Sequence, residues 1–162
     1  MSIVSKGELK GFGQLNVLKK IQFKVDSNLQ ELESVLSQFN QIYDDFIPNQ
    51  DWLKCKLALA EGFTNAVRHA HKELSTEIQI NIEAVLRSTT LEIYIWDLGN
   101  PFDLNKYIKD QSNNDHNWLG SGKGVAILTQ IADRLEYKHM GKQGNCLLIV
   151  KEFSQEEREP EG

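Results

Sequence analysis

A two-layer α+β sandwich, a mixed but mostly antiparallel sheet with helices on one face, is the fold class this sequence predicts. Two patterns carry the expectation. Ile78, Ile80 and Ile82 alternate with Gln79, Asn81 and Glu83, the period of a strand with one covered and one wet face, and Leu91, Ile93 and Ile95 repeat it after a polar turn. Elsewhere apolar residues recur at spacings of three and four, so helices must supply the covering layer. A chain of 162 residues fits one domain and buries roughly 68 to 70% of its unfolded surface, enough for an ordinary core.

Residues 1–12, small, polar and glycine-rich, are expected to form a flexible segment ahead of a domain spanning 13–153. Ile21, Phe23 and Val25 alternate with Gln22 and Lys24 in a first strand. Ser27 stands as an N-cap, with Gln30 placed for a capping box, before a helix on Leu29, Leu32, Leu36, Phe39, Tyr43 and Phe46 that ends ahead of Pro48. The next helix, DWLKCKLALAEGFTNAVRHAH, is expected from an N-cap at Asp51 to His71. At about 100° per residue it sets Glu61, Asn65, Arg68 and His69 on one side and Trp52, Leu59, Phe63, Ala66 and Ala70 on the other. On this pattern alone, the plain alternative is that the first group is only the wet side of an amphipathic helix.

In the run LEIYIWDLG, parity sets Asp97 on the same face as Leu91, Ile93 and Ile95. A carboxylate ending a core-facing row costs stability unless donors meet it. The alternative is that it opens a turn with Gly99 and Pro101. A polar stretch from Leu104 to Trp118 reads as a loop, and LGSGKGVAILTQIAD then leads through three glycines into a helix facing the sheet with Val125, Ile127, Leu128 and Ile131. Strands over Leu135–Met140 and Asn145–Phe153, joined by a turn at Gly141–Gly144, close the domain, and residues 154–162 are expected to be a disordered acidic tail. GSGKG fits neither the GxxxxGK[ST] phosphate loop nor the dinucleotide fingerprint. Closely spaced glycines before a helix can still turn their N–H groups toward an anion, or can simply form a hinge.

The net charge of −5 argues against a partner bound through nucleic-acid phosphates. Cys55 and Cys146 lack metal or disulfide spacing and are expected to be reduced core thiols. Neither an export segment nor a membrane span is indicated, which makes a cytoplasmic location the expectation.

Three groups now stand in one order: Glu61 with Asn65 and Ala66, Asp97 with Gly99, Pro101, Phe102 and Asp103, and the run Gly120 to Gly124. Together they resemble the gyrase, histidine-kinase and mismatch-repair ATPase superfamily with its Bergerat nucleotide-binding fold, and within it the anti-sigma-factor serine/threonine kinases, or switch kinases. The likeness runs from about Leu15 to Phe153, and NAVRHA and PFD are particularly like the switch kinases. The resemblance implies that Asn65 coordinates Mg²⁺, a suitable role for a hard carboxamide oxygen. It implies that Asp97 accepts the adenine amino hydrogens, that Gly99 and Phe102 border the base, and that Gly120, Ser121, Gly122, Lys123 and Gly124 hold the phosphates of ATP. Glu61 would be the catalytic base toward a serine hydroxyl, and the loop from Asp110 to Trp118 the lid.

The implied partners are an anti-sigma-factor antagonist as phosphorylation substrate and a sigma factor or comparable regulator, with a possible homodimer. Lys123 replaces a usually apolar residue, and Gly144-Asn145-Cys146 stands where many members have Gly-Thr. Two other readings stay open: a stand-alone histidine-kinase catalytic domain, expected less because little precedes residue 15, and a nucleotide-binding regulatory module without kinase activity.

Overall fold

In the computed structural model, residues 16–70, 78–99 and 122–154 are described. The strands are β1 (Lys19–Asp26), β2 (Gln79–Leu86), β3 (Thr90–Asp97), β4 (Arg134–His139) and β5 (Asn145–Glu152), and the α-helices are α1 (Leu32–Phe39), α2 (Asn49–Asn65) and α3 (Gly122–Ile131). The sheet runs β1-β2-β3-β5-β4, and each of its four pairings is antiparallel.

Register explains the core. Ile82 stands opposite Ile95 and Ile95 opposite Leu147, while Ala84, Ile93 and Ile149 form the next row. These side chains share one buried cluster with Val35 and Phe39 of α1, Leu59 and Phe63 of α2, and Val125 and Leu128 of α3. Each such large side chain contributes roughly 1.5 to 3 kcal/mol by leaving water. The predicted sandwich and its α2 face are therefore present, and Trp52 joins α2 to α1 by stacking on Phe39, with centroids 5.0 Å apart and planes 4° from parallel.

The first helix differs in detail. Its cap is Asn28, whose side chain accepts from the Gln30 amide at 3.0 Å, not Ser27. Only Leu32–Phe39 is α-helical, between 3₁₀ turns at Leu29–Glu31 and Asn40–Ile42. The three-residue period of those turns rotates the apolar face. Val35 and Ile42 are buried, whereas Leu29 and Phe46, expected inside, are 39% and 41% exposed.

The second helix begins two residues before Asp51, just after Pro48. Asp51 is not its N-cap. The carboxylate is buried and accepts from the backbone N–H and hydroxyl of Ser154, at 2.8 and 3.0 Å, fastening the segment that follows β5 to the first turn of α2. At its other end the α-helix stops at Asn65 and a π-helical turn follows over Ala66–Ala70. Arg68 and His69 therefore stand in the π turn and not in the α-helix that carries Glu61 and Asn65. His71 lies outside the described residues, as do the expected N-terminal segment 1–12, the lid from Asp110 to Trp118 and all of the expected tail 154–162 except Ser154.

The sheet's other face is less wet than alternation predicts. Val85, Glu92, Leu148 and Val150 are buried there, on the face opposite Ile93 and Ile95. Long polar side chains do the covering. Arg87 Nε pairs with Glu92 at 3.1 Å, the Tyr94 hydroxyl donates to Glu92 at 3.0 Å, and Arg134 pairs with Glu136 at 2.7 Å. Burial, and then the Glu92 charge, push the Tyr94 hydroxyl well above the usual phenol range. Both cysteines are free and buried, and burial with help from Asp51 pushes the Cys55 thiol up to about 12. Among the described residues no helix is long and apolar enough to cross a membrane.

Candidate functional site

The candidate residues described stand on three elements: the end of α2, the start of α3 and the end of β3. α2 presses closest to the sheet at Gly62, where a Cβ would sit 2.5 Å from Ile95 Cδ1. Ile95 is the inward-facing residue before Asp97, and Gly62 lies one turn before Asn65. The π turn after Asn65 packs on β3 as well. Such turns interrupt α-helices most often at functional positions.

Gly122 and Lys123 open α3, and Gly124 rests on Glu61: a Cβ at Gly124 would lie 2.7 Å from Glu61 Oε2. A larger residue there would push the glutamate side chain aside, so in this arrangement the carboxylate lies beside the first turn of α3. The Asn65 side chain, one turn after Glu61, is 8% exposed. At Asn65 the plain alternative of a wet face does not hold, because α2's buried arc extends through Asp51, Cys55, Ala58 and Gly62 as far as Asn65.

Asp97 is 4% exposed at the end of the core-facing row, as parity predicted. Donors meet it. Its Oδ1 accepts from the Gly99 amide at 2.9 Å and from Asn145 Nδ2 at 2.9 Å, and Asn145 Nδ2 also donates to the Gly99 carbonyl at 2.7 Å. The donor-met carboxylate is therefore realised, and of the turn reading the Gly99 contact is seen while Pro101 lies outside the described residues. Asn145 faces Asp97 directly in the β3–β5 register and is fully buried. Gly144, just before it, has φ +88° and ψ −150°, a region that only glycine adopts without strain. A Cβ there would also run into the Asp97 carbonyl oxygen. Gly144→Ala is expected to destabilise the fold by about 2 to 4 kcal/mol, combining left-handed strain with overpacking against backbone. Urea unfolding measures this, and a change below about 0.5 kcal/mol would contradict it.

The structure thus brings Gly124 against Glu61, and the Gly99 amide to Asp97, while Asn65 lies one turn further along α2 than Glu61. Phe102, Gly120 and Ser121 lie outside the described residues. A cleft of about 590 Å³, lined by Lys24, Asn81, Trp96, Lys142 and others, also reaches Asp97. Lys24, Asn81 and Trp96 form one cross-strand row on the face away from the helices, so this cleft opens on that face and meets the candidate residues at Asp97. Asn145 is the functional candidate whose bonding the sequence did not disclose. Its signal was parity, because it shares the core-facing row of Leu147 and Ile149 as Asp97 shares that of Ile93 and Ile95.

An open antiparallel sheet with helices on one face, entered by a glycine-led helix beside an acidic residue, is architecture of the Bergerat ATPase type. The chain belongs to the histidine kinase-like ATPase domain family, whose model matches residues 25–151. It is 33% identical over 118 residues to the serine-protein kinase RsbW of Staphylococcus aureus (strain bovine RF122 / ET3-1), covering 68% of this chain and 69% of that protein. It is 27% identical over 156 residues to the serine-protein kinase RsbW of Bacillus thuringiensis (strain Al Hakam), covering 89% and 91% respectively.

Proposed function

We propose that this chain is a Mg-ATP-dependent serine/threonine protein kinase that phosphorylates a serine on an anti-sigma-factor antagonist and, when not engaged with it, holds a sigma factor or comparable regulator. The observation that carries the reading is the Glu61 carboxylate lodged against the first turn of α3, one helical turn from the Asn65 carboxamide. Two relatives named serine-protein kinases support the reaction class.

Each residue then has a task. Asp97 accepts the amino hydrogens of adenine, and Gly99 lets the base lie close to the backbone. The amides opening α3, at the positive end of the helix, meet the phosphates together with Gly120 to Gly124. Asn65 would hold Mg²⁺ through its amide oxygen with ligand phosphates and water, as that ion's preference for few protein ligands allows. Bound Mg²⁺ neutralises phosphate charge. Glu61 accepts the proton of the serine hydroxyl as its oxygen bonds to the γ-phosphorus and the bond to the departing ADP oxygen breaks. The phosphoserine gains roughly two negative charges, enough to expel the product from a surface that bound a neutral hydroxyl.

Incubation of the chain with γ-labelled ATP, Mg²⁺ and a candidate antagonist tests the proposal. Label on an antagonist serine is expected. Label on a histidine of this chain would replace the reading with a histidine-kinase catalytic domain, and tight ATP binding without transfer would replace it with a regulatory binding module.

A further inference from the structure

We infer that Asn145 and His139 form a positioning pair that aims the Asp97 carboxylate, so that selectivity for a 6-amino purine rests partly on two side chains that act through Asp97. The inference deepens the reading of Asp97 as the purine acceptor and depends on it.

The directions of the hydrogen bonds follow from chemistry. One end of the Asn145 amide faces Asp97 Oδ1 and the Gly99 carbonyl at 2.9 and 2.7 Å. Both are acceptors, so only the NH₂ end fits there, and each of its hydrogens has a partner. The amide oxygen is thereby turned to His139 Nδ1, 2.8 Å away. That nitrogen must carry a hydrogen, which selects the Nδ1–H tautomer when the ring is neutral. A relay of donors therefore runs from an exposed histidine on edge strand β4, through a fully buried asparagine, to a buried carboxylate.

The relay does something a single hydroxyl cannot. Threonine, the residue at this place in many proteins the sequence resembles, has one hydrogen to donate and would hold the carboxylate or the Gly99 carbonyl. Asn145 holds both, and its oxygen recruits His139. Two donors on one carboxylate oxygen fix the plane of the group, and with it the direction from which a purine amino group is accepted. Without Asn145, Oδ1 loses one of the two donors that aim it, and an amino group gains less from meeting the carboxylate.

The test compares calorimetric binding of Mg-ATP with that of Mg-purine riboside triphosphate, which lacks the 6-amino group, using the full chain and its variants. Wild type should favour ATP. Asn145→Ala should cut that preference about tenfold or more, the size of one charge-assisted hydrogen bond, while binding of the analogue changes little. His139→Ala should cut it about three- to tenfold, as for a neutral hydrogen bond, and His139→Asn, which puts an N–H near the same place, should restore it. Equal weakening of both nucleotides by Asn145→Ala would reduce Asn145 to packing and overturn the inference. So would an unchanged preference in His139→Ala, which decides the matter if Asn145→Ala does not fold, because His139 is exposed. Asp97→Asn run in parallel separates the two claims. If it keeps the preference, the reading of Asp97 has failed; if it alone loses the preference, only the relay has.

Discussion

Asp97→Asn is expected to fold and to lose ATP affinity by about 100-fold or more. The substitution is nearly isosteric, yet the geometry leaves the new amide no good orientation. Two donors, the Gly99 N–H and Asn145 Nδ2, converge on Oδ1 at 2.9 Å. An asparagine must direct its oxygen to them, which turns its NH₂ toward an approaching adenine amino group. Donor then meets donor. Loss of a charged hydrogen bond costs about 1.5 to 3 kcal/mol and the unsatisfied pair about 1 to 3 more, and each 1.4 kcal/mol is a factor of ten in binding. Calorimetry with Mg-ATP reads the loss, and thermal unfolding without nucleotide checks the fold. Affinity within about threefold of wild type would remove Asp97 from the purine site.

Glu61→Gln should separate binding from chemistry. Glutamine has the volume of glutamate, so the contact with Gly124 survives and α3 stays in place against α2. ATP affinity should fall within about threefold of wild type. Phosphotransfer should drop about 10² to 10⁴-fold, because the amide cannot take the hydroxyl proton. Single-turnover transfer of labelled phosphate measures it. Near-normal turnover would mean another group serves as base. Glu61→Ala is the less informative variant, since it also empties the space beside Gly124.

Much of this is legible in the sequence, because it is written in local periods. The alternation of Ile78, Ile80 and Ile82 and of Leu91, Ile93 and Ile95 specified both central strands, and the parity of Asp97 marked a carboxylate in need of partners. What the sequence could not disclose depends on register or on tertiary override. Asn145 meets Asp97 only because β5 pairs with β3 in one alignment, and nothing local states that pairing. Asp51 has a strong capping propensity, yet Ser154, 103 residues away, claims its carboxylate. The π turn after Asn65 breaks a pattern that reads as unbroken α-helix through His71. Glu92 looks like a surface residue by alternation, but Arg87 and Tyr94 draw it under cover. Family resemblance, not periodicity, supplied ATP, Mg²⁺, the serine and the protein partners.

One structure would test the central claim most directly: this chain crystallised with Mg²⁺ and a non-hydrolysable ATP analogue. The adenine amino group should lie within hydrogen-bond distance of the Asp97 carboxylate, with Mg²⁺ on the Asn65 amide oxygen and the γ-phosphate facing Glu61. A nucleotide seated in the Lys24–Trp96–Lys142 cleft on the opposite face of the sheet, or one bound with Asp97 and Asn65 both out of reach, would contradict it.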